Sequence, residues 1–412
     1  MARSKLMGAN LEAPMRTRIH FESPAHQHTL AMEITMPQCL PKLAIFLPSM
    51  HGGGVERTVV VLCRGLLEHG VAIDLVLSSA QGAFMEQVPA QVRVVELGSQ
   101  HASTSLLQLA RYLRQERPTY LFSAMNYVNL TAILANELAG RPTHLIIRED
   151  NSPAASFARN SNWKAQLVPP LMRVLYRRAG TILAVSHGVA ESLAGFIGLD
   201  PARIKVIWNP VVDEDLIAKA GEPLPQALKH LESTPFILGV GSLIAQKNFG
   251  DLMRAFATVQ EKRPQLRLLI LGEGPERPAL EALAQTLGIA QSVDMPGFVA
   301  NPYAFMRRAQ LFALSSHFEG LPTVLIEALA CGCSVVSTDC PSGPYEILDK
   351  GRFGKLVPVA DVGALSYAIA EVLDAPKDSA RLESRGQDFS RQASVDKYLE
   401  LLREIAALGA IA

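Results

Sequence analysis

The 412-residue sequence contains no run of about 18 or more uncharged apolar residues, so no transmembrane helix is predicted. It has no excess of either charge: 39 Lys and Arg balance 39 Asp and Glu. A zero net charge removes the broad basic field of a nucleic-acid binder, and no polyacidic tail suggests a solvating, disordered arm. Cysteine is scarce and odd in number, at positions 39, 63, 331, 333 and 340. An odd count in a large chain without an export signal fits reduced thiols in a cytoplasm rather than a disulfide framework. Cys331 and Cys333 have a single residue between them, fewer than the roughly two to four of zinc sites. They fall at a predicted helix end before an apolar strand and read as packing residues. The N-terminus lacks the continuous apolar core of a signal peptide. Arg, Pro, His and Ser mix there without period, so residues 1–40 read as a poorly ordered extension. His20, His26 and His28 could ligate a metal, but a mobile tail is the simpler reading.

What the chain does have is alternation. With 49% hydrophobic and 19% charged residues it is long enough for two or three globular domains. From Pro41 onward, short apolar runs alternate with amphipathic segments. Strands are expected at 43–47, 72–78, 92–96, 119–123, 143–147, 181–185 and 204–207. A helix is expected from Val55 to His69, with Val55, Val59, Leu62, Cys63 and Leu66 on one face. Residues 209–235 break the pattern with four prolines and many charges. It then restarts, with strands at 236–241, 267–272, 292–297, 311–315 and 334–338. Helices are expected between them at 249–262, 276–287, 302–308 and 322–331, followed by 361–373 and 394–407. The expected fold is α/β: two Rossmann-like parallel-sheet domains facing a cleft, with ligands in loops after strands. The boundaries fall at 41–210 and 211–385, with residues 386–412 as a C-terminal helix able to pack back on the first domain.

One stretch concentrates the chemistry. In SSHFEGLPTVLIEALACG, Glu319 and Glu327 are separated by seven residues. Pro322 suits a first helical turn, where its missing N–H is not needed. Glu319-Gly320-Leu321 then precedes a helix N-terminus, whose free N–H groups attract phosphate. Glu327 lies on the helix among Leu325, Ile326, Ala328 and Leu329, where a carboxylate is costly unless it accepts hydrogen bonds, for example from ribose hydroxyls. A solvated Glu319 and an internally paired Glu327 fit the spacing equally well.

Together with further motifs, the stretch from about 41 to 405 resembles a glycosyltransferase of family four with the GT-B fold. Glu319 and Glu327 match the family's glutamate pair. Gly53-Gly54-Val55-Glu56-Arg57 matches its amino-terminal glycine loop and helix start, and Gly241 with Lys247 its phosphate-binding segment. Gly272-Glu273-Gly274-Pro275 and Pro296-Gly297-Phe298 match two more loops.

The resemblance implies retaining transfer of a sugar from a nucleotide-sugar, a UDP-sugar being the expected co-substrate, without a cofactor or metal. It implies Glu319 on donor-sugar hydroxyls, Lys247 on the leaving diphosphate, and Glu327 on ribose. The implied donor site comprises Gly241, Ser242, Lys247, Gly272, Gly274, Phe298, Val299, Glu319, Gly320, Leu321, Pro322, Thr323 and Glu327, with Glu319 and Lys247 catalytic. Gly52, Gly53, Gly54, Arg148, Glu149 and Asn151 are assigned to a glycan or lipid-linked saccharide acceptor. A binding protein of weak activity on the same fold is the alternative.

Two departures stand out. Ser242 occupies the position of a family arginine, and Arg148-Glu149-Asp150-Asn151 replaces a segment that often carries histidine. Arg148 and Glu149 could simply pair with each other. Ser186 and His187 are adjacent, so their side chains diverge and form no catalytic pair. His187 reads as helix N-terminal surface, and His317 is a candidate cleft residue. Asn209-Pro210 is expected near the hinge. Residues 163–180 mix Trp163, Leu167, Leu171, Val174 and Leu175 with Lys164, Arg173, Arg177 and Arg178. A helix packed on the sheet is favoured there, with contact to an anionic membrane surface left open. The expected location is the cytoplasm, with peripheral attachment to the inner membrane face left open.

Overall fold

The computed structural model describes residues 42–51, 53–158 and 168–409. The extension expected over residues 1–40 lies outside them, as do Gly52, Trp163, Lys164 and Leu167. Residues Cys39–Ala412 form one compact unit.

Strand β1 (Leu43–Leu47) is buried at all five positions, which is why it reads as an unbroken apolar run rather than an alternating one. It centres a seven-stranded sheet with β2 (Ile73–Leu77), β3 (Arg93–Glu96), β4 (Tyr120–Ala124), β5 (His144–Glu149), β6 (Thr181–Ala184) and β7 (Ile204–Val206). The order is β3-β2-β1-β4-β5-β6-β7, and every pairing is parallel. A second parallel sheet holds β8 (Phe236–Val240), β9 (Arg267–Leu271), β10 (Val293–Gly297), β11 (Leu311–Leu314), β12 (Val335–Thr338) and β13 (Lys355–Val357). Its order is β10-β9-β8-β11-β12-β13. In both sheets the strand order reverses direction beside the first strand of the sheet. The crevice at such a switch point, beyond the strand carboxyl ends, is where this fold class holds ligands.

The proline-rich break is more structured than its composition predicts. It contains the helix Glu214–Ala220, capped by Asp213, whose Oδ1 accepts from the Leu216 N–H at 2.8 Å. Val212 bridges to Ser390, so the connection is tied to the chain's C-terminal segment. There the helix Arg391–Gly409 contributes Val395, Tyr398, Leu399 and Leu402 to the core formed by Leu43, Ile45, Val59, Leu62 and Leu66. The Tyr120 hydroxyl donates to the Leu402 carbonyl at 2.8 Å, and Arg391 pairs with Glu68 at 3.0 Å. The last helix thus packs under the first sheet, against helix α1 (Gly54–Glu68). Each large apolar side chain buried there contributes roughly 1.5–3 kcal/mol.

Candidate active site

Glu319 follows β11 and is held by its own half of the molecule. The Lys247 Nζ lies 2.7 Å from its Oε1, and the Ser316 hydroxyl donates to the same oxygen at 2.6 Å. The Glu319 side chain is 8% exposed and that of Lys247 18%, so the pair is shielded but reachable. Lys247 is fixed from its backbone: its carbonyl accepts from the Ser315 hydroxyl at 2.9 Å, and the Gln246 amide donates to the Phe318 carbonyl at 2.9 Å. The loops after β8 and β11 are therefore stitched together. The His317 N–H adds a bond to the Gln246 carbonyl, and its side chain lines a cavity of about 510 Å³ with Ile244 and Asn248. Next to this loop, Gly272 has φ +147, and a Cβ on it would lie 1.9 Å from the Gly241 carbonyl oxygen. Only glycine lets these two strand-end loops approach so closely.

The helix at this site spans Thr323–Ala330, and Pro322 is its N-cap with an extended backbone. The proline thus stands one position before the first turn. Glu327 sits on the buried side, 2% exposed, and its cation comes from far away in sequence. The Arg57 Nη1 donates to Glu327 Oε1 at 2.9 Å. Arg57 also donates to the Tyr303 hydroxyl, with its guanidinium 5.5 Å from that ring's centre. Burial pushes the Glu327 carboxyl above its ordinary range, the Arg57 charge pulls it back, and Asp213 pushes it up again. Leu321 is buried, Thr323 and Val299 are half-buried, and Ser242 is exposed. Phe298 is 81% exposed at the rim of the loop after β10.

The first sheet meets this site at Gly320. The Ser186 hydroxyl donates to the Gly320 carbonyl at 2.9 Å, and a Cβ on Gly320 would fall 1.8 Å from the Asp150 carbonyl oxygen. The backbones of the 148–151 loop and the Glu319 loop are therefore in direct contact. Ser186 caps the helix His187–Ile197, and His187 opens that helix as an exposed residue. Its backbone N–H donates to Glu346 Oε2 at 2.8 Å.

Arg148 and Glu149 lie beneath this contact. Arg148 is fully buried and pairs with Asp150 at 2.6 Å instead of with Glu149, because successive strand residues point to opposite faces. Its other end reaches the Tyr398 hydroxyl at 3.4 Å and the Phe122 ring. Glu149 accepts from the Asn129 amide at 3.1 Å and from the Tyr176 hydroxyl. Burial pushes its carboxyl up to about 8. Asn151 is exposed, while Asp150 Oδ2 is buried without a partner. Gly53 and Gly54 are exposed at the start of α1. Asn209 is buried beside the connection to the second sheet, with Oδ1 unpartnered.

In the basic stretch, the helix Val168–Leu175 buries Met172 and Leu175 but leaves Leu171 47% and Val174 61% exposed. Arg173 donates to the Phe196 carbonyl and Arg177 to that of Gly198. Among the described residues, no group of three or more His, Cys, Asp or Glu side chains could hold a metal ion, and no helix is long and apolar enough to cross a membrane.

Tyr303 and Ser316 are site neighbours that the sequence did not single out, and Ser186 was weighed only as a partner for His187. The Glu56-Arg57 step after the glycines was the one local signal for Arg57.

Residues 53–210 match the family described as Glycosyl transferase 4-like domain, and residues 222–389 match Glycosyl transferases group 1. A Campylobacter jejuni protein, N-acetylgalactosamine-N,N'-diacetylbacillosaminyl-diphospho-undecaprenol 4-alpha-N-acetylgalactosaminyltransferase, is 32% identical over 368 residues, covering 87% of this chain and 96% of that protein. The lipopolysaccharide core biosynthesis glycosyltransferase LpsE of Rhizobium meliloti is 25% identical over 359 residues, covering 85% and 96%. Among solved structures, HepE of Anabaena in complex with UDP-glucose superposes with a TM-score of 0.72 at 19% identity, over 88% of this chain and 100% of that one. The apo form of the lipopolysaccharide outer core galactosyltransferase WaaB gives 0.69 at 19% identity, over 88% and 99%. With both halves of the chain matched, the chain belongs to the family-four glycosyltransferases (glycosyl transferases group 1) and has their GT-B fold.

Proposed function

We propose that this glycosyltransferase moves a sugar, with retention of anomeric configuration, from a UDP-sugar to a glycan or lipid-linked saccharide of the cell envelope. The observation that carries the reading is the Lys247–Glu319 pair set before the N-terminus of the helix Thr323–Ala330, with Glu327 further along the same helix. Lys247 and the helix N-terminus offer positive charge to the departing diphosphate without calling on a metal. Glu319 then faces the sugar hydroxyls, and Glu327 takes the ribose. The bond from C1 of the sugar to the β-phosphate oxygen breaks as the acceptor oxygen bonds to C1, and the acceptor's proton passes to the leaving phosphate.

The loops at Gly241-Ser242 and Gly272–Gly274 flank the phosphates in this reading. Phe298 and Val299 border the base, and Gly320, Leu321, Pro322 and Thr323 line the sugar and phosphate. The acceptor enters over Gly53, Gly54 and Asn151, with Arg148 and Glu149 bracing that loop from below. The names of the relatives support envelope and lipid-linked acceptors, and the HepE complex supports UDP. Leu171 and Val174, exposed beside Arg173, Arg177 and Arg178, suit peripheral contact with an anionic membrane, which would bring the enzyme to a lipid-linked acceptor at the inner face.

The test is transfer from UDP-glucose, UDP-N-acetylglucosamine and UDP-N-acetylgalactosamine to polyprenyl-diphosphate saccharides, with the product's anomeric configuration read by NMR. An α-linked product made in the presence of a chelator is expected. An inverted product, or strict dependence on a divalent cation, overturns the corresponding part of the reading.

A further inference from the structure

Glu327 is a buried carboxylate whose counter-charge is supplied from across the cleft. Arg57 stands at the start of α1, which packs on the first sheet, whereas Glu327 and Tyr303 both belong to the second. The guanidinium divides its donors between Glu327 Oε1, at 2.9 Å, and the Tyr303 hydroxyl. The bond falls on one carboxylate oxygen and leaves Oε2 to a ligand hydroxyl. The groups that face Glu327 electrostatically are Arg57 from α1 and Asp213 from the inter-domain segment. Tyr303 on the helix Tyr303–Arg308 and Cys331 at the end of its own helix also feel its charge. Arg57 is the one cation in that set, so the ionised form of Glu327 depends on it.

We infer that Arg57 is a positioning residue for the donor: it keeps Glu327 ionised and oriented, so the ribose subsite is complete only when the two halves of the molecule are closed on each other. The inference rests on the proposed assignment of Glu327 to ribose. In the open state Glu327 loses its cation and the hydrogen bond that orients it, and it accepts ribose hydroxyls poorly. Binding of the donor and closure of the cleft then favour each other, as linkage requires. A donor held only in the closed state is shielded from water, which limits wasteful hydrolysis.

A double-mutant cycle distinguishes this from an inter-domain strut. UDP affinity is measured by calorimetry from pH 6 to 9 for wild type, R57M, E327Q and R57M/E327Q. Removing a hydrogen bond to a charged group is expected to weaken UDP binding about tenfold in R57M. The loss should grow as pH falls, because the uncompensated carboxyl protonates. R57K, which keeps the charge, should restore the flat pH profile. E327Q should weaken binding by a similar factor, and R57M should add nothing to it. Independent, additive losses, or wild-type affinity in R57M, overturn the inference. Should R57M not fold, Tyr303→Phe leaves both charges and removes the brace. It is expected to weaken UDP binding in wild type but not in E327Q, and equal weakening in both overturns the inference. If wild type itself does not bind UDP, the proposed function fails first, and that outcome is visible before any variant is made.

Discussion

Glu319 and Glu327 lie on one segment with seven residues between them, yet they are supported in opposite ways. Glu319 is held by Lys247 and Ser316, both from the second sheet's own loops. Glu327 is held by Arg57, which is 270 positions away and packs on the first sheet. One carboxylate takes its partners from its own half of the molecule, and the other takes its cation from the opposite half. In the proposed assignment, a preformed charged pair at the sugar and phosphate end would lower the reorganisation needed at the moment of transfer. A pair bridging the two halves at the proposed ribose end would couple binding to domain position.

The sharpest way to break the contrast is at its preformed side. Lys247→Met should lower kcat by about 100- to 1,000-fold, the scale for losing one preorganised group on developing charge. Its UDP affinity should fall by less, because most of the effect lies in the transition state. Steady-state kinetics beside calorimetry will separate the two, and an equal loss in both would mean that Lys247 serves binding alone.

Next is the contact between the halves. Gly320→Ala would set a Cβ 1.8 Å from the Asp150 carbonyl oxygen, so the loops must part. Transfer is expected to fall about tenfold or more, since a misplacement of about 1 Å is costly in such sites. Hydrolysis of the donor should rise relative to transfer. Retained wild-type transfer would show that this contact is not needed for the reacting geometry.

A smaller effect should appear in the pH dependence of stability. The Glu149 carboxyl is raised from 4.5 to about 8 by burial, so the folded state holds its proton more tightly than the unfolded chain. Its contribution is complete below about 4.5 and is lost as pH rises through about 8. Glu149→Gln should flatten that slope in thermal melts between those limits. An unchanged slope would assign it to other groups. Smallest is Ser186→Ala, which removes the bond to Gly320 and the cap on Val189 N–H. About 1–2 kcal/mol of stability is expected to be lost, measurable by denaturant unfolding.

The strands were legible because most are buried on both faces and so read as continuous apolar runs. β13 was not, since Lys355-Leu356-Val357 is three residues long with one exposed and one half-buried. The helix Ser379–Gln387 escaped for a different reason: it buries only Leu382 and Gly386, so it shows no apolar period. In the site, the 319/327 interval and the glycine loops were readable because they are local. The Arg57–Glu327 pair was not, because nothing in the sequence near either residue names the other. The Arg148–Asp150 pair could have been read from strand alternation, had β5 been extended past Ile147 to its end at Glu149.

The most direct test of the account is the UDP-induced change in melting temperature of wild type against Glu327→Ala, at UDP concentrations well above the wild-type dissociation constant. A ligand at 100 times that constant adds about 2.7 kcal/mol to stability, a shift easily read. A clear rise is expected for wild type and roughly half of it for the variant at the same UDP concentration, since a tenfold weaker affinity leaves about 1.4 kcal/mol of that stabilisation. An equal rise in both would contradict the assignment of Glu327 to the nucleotide.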